Sequence, residues 1–279
     1  MIPPVANRFV AGETPSEALS HVQTLNNRDV SAILNLLGEH YHDPKPAAED
    51  TDTYLELVDD IAASGAAACI SVKPSQIGLD VGETVFENNL AEIADRGDEK
   101  GVFVWVDMED HTTTDATLDA YESLVRDHGG GMGLCLQANL RRTREDLERL
   151  ADAPGKVRIV KGAYDEPSDV AYTSKEKVDE VYLELIEYMF EAFDDGVAIG
   201  SHDPMVIDAA REYHREYGTP YEIQMLMGVR TDRQYELASD DIEVYQYVPY
   251  GSKWLSYFYR RVRERKENLL FAARAVIGR

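Results

Sequence analysis

The sequence predicts an α/β chain folded as a (β/α)8 TIM-like barrel, with a C-terminal helix over the mouth that would carry the active site. Three observations lead there. Eight short apolar runs alternate with stretches of helical spacing. The runs are continuously apolar, as strands buried on both faces are. Nearly every run ends in a polar or charged side chain, which in such a barrel falls on the rim that hosts chemistry. A doubly wound open sheet is the alternative, but no strand is followed by a Gly-rich phosphate-binding turn. With no internal linker, residues 1–279 read as a single domain.

In chain order, a short amphipathic helix at 16–26 precedes the first strand, 30–37 (VSAILNLL). Helical spacing at 49–64 leads to the second strand, 67–72 (AACISV), which ends at Lys73. A helix at 83–96 and a strand at 101–106 (GVFVWV) follow, the strand ending at Asp107. The fourth strand, 132–136, comes after a helix at 114–127 and ends at Gln137. A helix at 142–150 precedes the fifth strand, 157–160, which contains Arg158 and runs into Lys161 and Tyr164. A long helix at 174–194 leads to the sixth strand, 197–199, followed by Ser201 and His202. Helix 204–217, a seventh strand at 221–225 with Gln224, helix 231–238 and an eighth strand at 243–247 complete the series. Pro249 and Gly251 mark a turn, and Ser252 is placed to cap the last helix.

That last helix carries the densest chemical signal. Tyr257, Arg260, Arg261 and Glu264 stand at i, i+3, i+4 and i+7, so they share one face. Two adjacent guanidiniums repel unless an anion lies between them, and the planar fork of Arg matches a carboxylate or phosphate. The helix therefore reads as a grip for a small acid. Lys73, Arg158 and Lys161 converge on the same rim, which suggests a positive funnel for an anionic ligand.

Composition bounds the rest. Against 52 acidic residues stand 28 basic ones, 19 Arg and 9 Lys, for a net charge of −24. Such a balance excludes a nucleic-acid-binding face. An acidic, lysine-poor surface is what high salt tolerates, so a halophilic protein is expected. No apolar run approaches the ~20 residues of a membrane span. The start, MIPPVANRFVAGET, lacks the basic and apolar regions of a leader, so a cytoplasmic protein is expected. Cys69 and Cys135 lie inside strand-like runs and read as buried free thiols.

Five stretches resemble the proline dehydrogenase family: SVKPS at 71–75, VDMED at 106–110, LQANLRRT at 136–143, VRIVKGAY at 157–164, and YVPYG with YFYRRVRE at 247–264. SHDP at 201–204 and YEIQMLMG at 221–228 add to it. The resemblance implies a distorted (β/α)8 barrel carrying FAD at the C-terminal strand ends. It implies that Arg260 and Arg261 hold the carboxylate of L-proline with Lys73 beside them, while Tyr257, Tyr247 and Leu226 wall the ring. Asp107 and Tyr164 are expected to hold Lys73 and close the pocket. Arg158 is expected near flavin N5, with Gln137 and Gln224 on the isoalloxazine. Val160, Lys161, Gly162 and Ala163 are expected to contact the cofactor, Lys161 and Gly162 near its ribityl–phosphate region. Ser201 and His202 are placed along the FAD, and Arg261 and Glu264 also reach it, with Glu264 pairing within the cationic cluster. A membrane quinone is the implied electron acceptor, reached by peripheral contact at the inner face of the cell membrane. Two departures stand out. The family's KGAYW with Asp or Glu is KGAYDEP here, and its Thr-His-Asn is SHDP, which adds the charge of Asp203.

Two other readings are open from the residues alone. His40 and His42 after the first strand, with Lys161 and His202, could serve a metal-dependent barrel hydrolase. Lys161 or Lys73 could serve a Schiff-base aldolase.

Overall fold

The computed structural model describes residues 6–255 and 257. Eight strands, β1 (Ser31–Leu36), β2 (Ala68–Val72), β3 (Val104–Val106), β4 (Met132–Gln137), β5 (Lys156–Val160), β6 (Val197–Gly200), β7 (Tyr221–Leu226) and β8 (Glu243–Tyr250), pair in sequence order. Every pairing is parallel, and β1 closes the barrel against β8 with Ser31 opposite Tyr245 and Leu36 opposite Tyr250. The helices are α1 (Pro15–Asn26), α2 (Pro44–Ser64), α3 (Glu83–Lys100), α4 (Thr114–His128), α5 (Thr143–Leu150), α6 (Lys175–Ala192), α7 (Pro204–Tyr217) and α8 (Thr231–Ser239). The barrel expected from the apolar runs is therefore the observed fold.

Local chemistry explains where the elements differ from expectation. α1 starts on a capping box, in which Thr14 accepts from the Glu17 amide and the Glu17 carboxylate accepts from the Thr14 amide. α2 begins at Pro44 rather than at residue 49, because Asp43 caps it and a proline is welcome at the first helical position. The expected strand at 101–106 shrinks to Val104–Val106, because Gly101, at φ 68°, is the left-handed cap that ends α3. β8 runs on through Pro249, since the ladder continues as Leu37 donates to the Tyr250 carbonyl, and the turn falls at Gly251.

Of three apolar clusters among the described residues, one joins the N-terminal residues Ala6, Phe9 and Val10 to Leu37 and Tyr257, and two build the barrel. The larger fills the space between barrel and helices, with Tyr54, Phe86, Tyr121, Tyr182 and Phe190 all buried. The smaller lies inside the barrel, where Ile33, Cys69, Trp105 and Ala198 meet Phe103, Tyr245 and Tyr247. Trp105 fits because its cross-strand neighbour is Gly133: a Cβ there would lie 2.5 Å from the indole. Gly133→Ala is thus expected to overpack the interior and cost about 1–3 kcal/mol, read as a lowered Tm. Both cysteines are free and buried, and burial raises the pKa of each thiol.

Inward positions alternate along each strand. The interior at and above the level of Trp105 also holds polar and charged groups. Lys156 pairs with Glu222 near the start of β5 and β7. The Gln224 amide donates to Glu222 Oε1 at 2.6 Å, and its oxygen accepts from Arg158 Nη1 at 2.9 Å. Arg158 in turn pairs with Asp107. A column of hydrogen bonds therefore climbs the barrel axis and emerges at the C-terminal ends of the strands.

Candidate active site

The column ends in a cavity of about 320 Å³ at the C-terminal strand ends, within the range of small-ligand sites. Period-2 alternation and the closed barrel bring its walls together from distant parts of the chain. Lys73 follows β2, Asp107 and Met108 follow β3, and Cys135 and Gln137 come from β4. β5 and its loop give Arg158, Val160, Lys161, Gly162, Ala163 and Tyr164. Gly200 and His202 come from β6 and its loop, Gln224, Met225 and Leu226 from β7, Tyr247 from β8, and Tyr257 from beyond it.

Asp107 is the electrostatic centre. Its Oδ1 accepts from Ser71 Oγ at 2.7 Å and from Arg158, and its Oδ2 accepts from Tyr247 OH at 2.6 Å. Burial alone would raise its pKa, but the Arg158 guanidinium, Lys73 and these hydroxyl donors outweigh it and hold the carboxyl below its ordinary value. Burial also opposes the charge on Arg158, but the groups around it, Asp107 among them, hold its pKa above the ordinary value. The guanidinium lies 5.0 Å from the Trp105 ring centre and 5.7 Å from that of Tyr247, close enough for cation–π attraction.

The sequence expectation was that Asp107 would hold Lys73. Instead its direct partners are Arg158, Ser71 and Tyr247, and the Lys73 ammonium donates to Asn35 Oδ1 at 3.4 Å. Asn35 is held by the Ser71 carbonyl at 2.9 Å, so a β1 residue absent from the motifs helps to place Lys73. Just beyond Lys73, Ser75 donates its amide and its hydroxyl to buried Glu109, at 2.6 and 2.7 Å. Burial raises the Glu109 pKa despite these donors.

Gln137 faces the cavity, but its carboxamide is already engaged. Its nitrogen donates to the Glu109 carbonyl at 2.7 Å and its oxygen accepts from the Ala163 amide at 3.1 Å. It ties the loop after β5 to the loop after β3. Glu166 on the first of those loops is buried and accepts from the His111 amide at 2.9 Å while its other oxygen meets the His111 ring. Neither Asn35, Glu109 nor Glu166 was singled out from the sequence, because each acts through a partner far away in the chain.

The expected positive funnel is largely neutralised among the described residues. Arg158 is matched by Asp107, and Lys161 by Asp179 and Asp203. Ser201, expected along the cofactor, does not line the cavity; its hydroxyl accepts from the Asp203 amide at 3.1 Å. His202 does line it, and its Nε2 accepts from the Leu226 amide at 3.2 Å, which puts the proton of the neutral ring on Nδ1. His40 and His42 do not reach the cavity lining; His40 Nδ1 meets Asp80 at 3.0 Å in the loop after β1. Arg260, Arg261 and Glu264 lie outside the described residues.

A closed parallel barrel with a charged, part-apolar cavity at the C-terminal strand ends is the arrangement of a (β/α)8-barrel enzyme. The chain belongs to the proline dehydrogenase family, whose model matches residues 18–274. A proline dehydrogenase of Deinococcus radiodurans is 35% identical over 280 residues, covering 98% of this chain and 90% of the relative. Proline dehydrogenase 1 of Bacillus subtilis is 33% identical over 275 residues, with the same shares of 98% and 90%. Among solved structures, proline utilization A of Bdellovibrio bacteriovorus, inactivated by N-propargylglycine, superposes with a TM-score of 0.84 at 25% identity. That alignment covers 92% of this chain and 32% of the longer one. A proline utilization A variant of Bradyrhizobium japonicum, at 21% identity and a TM-score of 0.75, shares the fold. Among the described residues, no helix is long and apolar enough to cross a membrane.

Proposed function

We propose that the cavity oxidises L-proline to Δ1-pyrroline-5-carboxylate, the first step of proline catabolism, with FAD as the hydride acceptor. The observation that carries this reading is one cavity walled jointly by Lys73, Arg158, Lys161, His202, Gln224, Tyr247 and Tyr257. The residues present suit a flavin. Arg158 offers a buried cation among the polar and apolar walls of the cavity. Asn139 Oδ1 is buried with no hydrogen-bond partner among the described residues, beside the loop at Gly162. A hydroxyl or amino donor on the ligand would satisfy it.

When bound, the flavin supplies the two-electron acceptor that the side chains lack. The chain's own groups do the positioning. Arg260 and Arg261 would hold the substrate carboxylate and Lys73 would add charge at the same end. Fixing the carboxylate fixes the distance of the reacting carbon, which is how orientation lowers a barrier. Tyr247 and Tyr257 would wall the ring and exclude water, with Leu226 opposite. Arg158 would stabilise negative charge that develops on the acceptor. Tyr164 would close the pocket, and Gln137 and Ala163 would hold the loop that covers it. Electrons would then pass to a membrane quinone, which calls for peripheral contact at the inner face of the cell membrane by a cytoplasmic, single-domain protein. The acidic surface fits a halophilic setting.

The direct test is a visible spectrum of the purified protein before and after anaerobic L-proline. Flavin absorbance that bleaches on addition supports the reading; a colourless protein, or a colour that L-proline leaves unchanged, refutes it. Arg260→Met is expected to raise KM for L-proline about a hundredfold, the loss of a charge-assisted pair, while the flavin stays bound. Loss of colour in that variant would place this arginine on the cofactor instead.

A further inference from the structure

Beyond the main cavity lies a second one of about 200 Å³, lined by Asn139, Lys161, Gly162, Tyr164, Tyr172 and Val178 among others. Lys161, Gly162 and Tyr164 border both cavities. At Gly162, φ is +118° and a Cβ would lie 2.2 Å from Asn139 Oδ1, so only glycine lets the loop pack against the Asn139 carboxamide between the two cavities. The orphaned oxygen of Asn139 marks this side as the place for a ligand part rich in hydroxyl or amino donors. A ligand with a flat ring in the first cavity and a polyol or nucleotide in the second must cross at Lys161. Phosphates joining the two parts would lie at that crossing.

The crossing is where α7 begins, and the start of a 14-residue helix favours negative charge. With the Lys161 ammonium it would form an anion site. In this chain Asp203 already serves both donors. Its Oδ1 accepts from the Met205 amide at 3.1 Å, and its Oδ2 accepts from Lys161 at 3.2 Å. Lys161 is shared further with Asp179, which also takes Lys175. Two cations are thus balanced by two carboxylates before any phosphate arrives.

We propose that Asp203 is a cofactor-specificity residue: its carboxylate occupies the anion position at the start of α7, so a phosphate-bearing flavin binds against its charge and is retained better as salt rises. This rests on the flavin reading above. Like charges a few ångströms apart in a water-exposed setting weaken binding by about five- to twentyfold. The Debye length falls from about 10 Å at 0.1 M salt to about 3 Å at 1 M, so the penalty fades. A flavin without phosphate should not feel it.

The test is equilibrium binding of FAD and of riboflavin to the full chain, followed by flavin fluorescence at about 0.1 M and about 1 M KCl. Asp203→Asn keeps a helix cap and removes the charge; Asp203→Ser does the same should the first variant fold poorly. Expected are FAD binding about five- to twentyfold tighter than wild type at low salt, a gap that closes at high salt, and unchanged riboflavin binding. In the wild type, the preference for FAD over riboflavin should rise with salt. FAD binding no tighter in either variant, an equal gain for riboflavin, or a wild-type preference that falls with salt overturns this inference alone. A wild type that binds neither flavin overturns the flavin reading and this inference with it.

Discussion

Asp107→Ala is expected to lower stability by about 3–5 kcal/mol and to abolish measurable proline oxidation. The carboxylate is largely enclosed at the cavity floor, and it is the anionic partner of a buried Arg158. Removing one member of a buried pair leaves the other charged and desolvated, which costs far more than the pair contributes while intact. Ser71 and Tyr247 also lose an acceptor, and Lys73 loses a negative charge that balances it. Because folding holds the Asp107 pKa down, its contribution is fully present above its unfolded value near 4 and is lost as pH falls through the lower folded value. Asp107→Ala should therefore flatten the acid limb of a stability–pH profile. Burial of Glu109 and Glu222 works in the opposite sense, raising their folded pKa values, so what they take from stability grows as pH rises above the ordinary glutamate range. Chemical denaturation at several pH values separates the two. Equal midpoints for wild type and variant at pH 7 would contradict the buried-pair account.

The barrel was legible because its signals are local. Continuous apolar runs mark parallel strands, and their spacing counts them, so all eight strands and their order can be read before any contact is known. Local signals also misplace ends where two rules compete. The prolines of 44–46 look like a breaker but lie where Asp43 caps a helix, and Pro249 looks like a turn but continues β8. Most of the site was legible through residue types at strand ends. Its wiring was not. Whether Asp107 serves Lys73 or Arg158 depends on the register of β3 against β4 and β5 and on barrel closure. The same holds for Asn35 under Lys73, Gln137 between two loops, and Glu222 below Gln224. Charge counting failed for a related reason. Lys161 counted as a free cation in the chain, but folding places two carboxylates on it from α6 and the start of α7.

Arg158 offers the sharpest distinction between charge and geometry. Its fork reaches Gln224 with one nitrogen and Asp107 with another, and its face lies against Trp105 and Tyr247. Arg158→Lys keeps a positive charge but cannot span both partners. Arg158→Met removes the charge and leaves Asp107 with two hydroxyls and Lys73. If the guanidinium stabilises charge on a reduced flavin, Arg158→Met should lower kcat by about 10²–10³-fold and shift the flavin midpoint potential downward. Arg158→Lys should recover much of the potential and little of the rate, because the potential responds to charge and the rate also to position. Both variants should lose stability, so the split between potential and rate carries the information. Equal potentials in wild type and Arg158→Met would remove this residue from the redox centre and leave it a structural link between Glu222, Gln224 and Asp107.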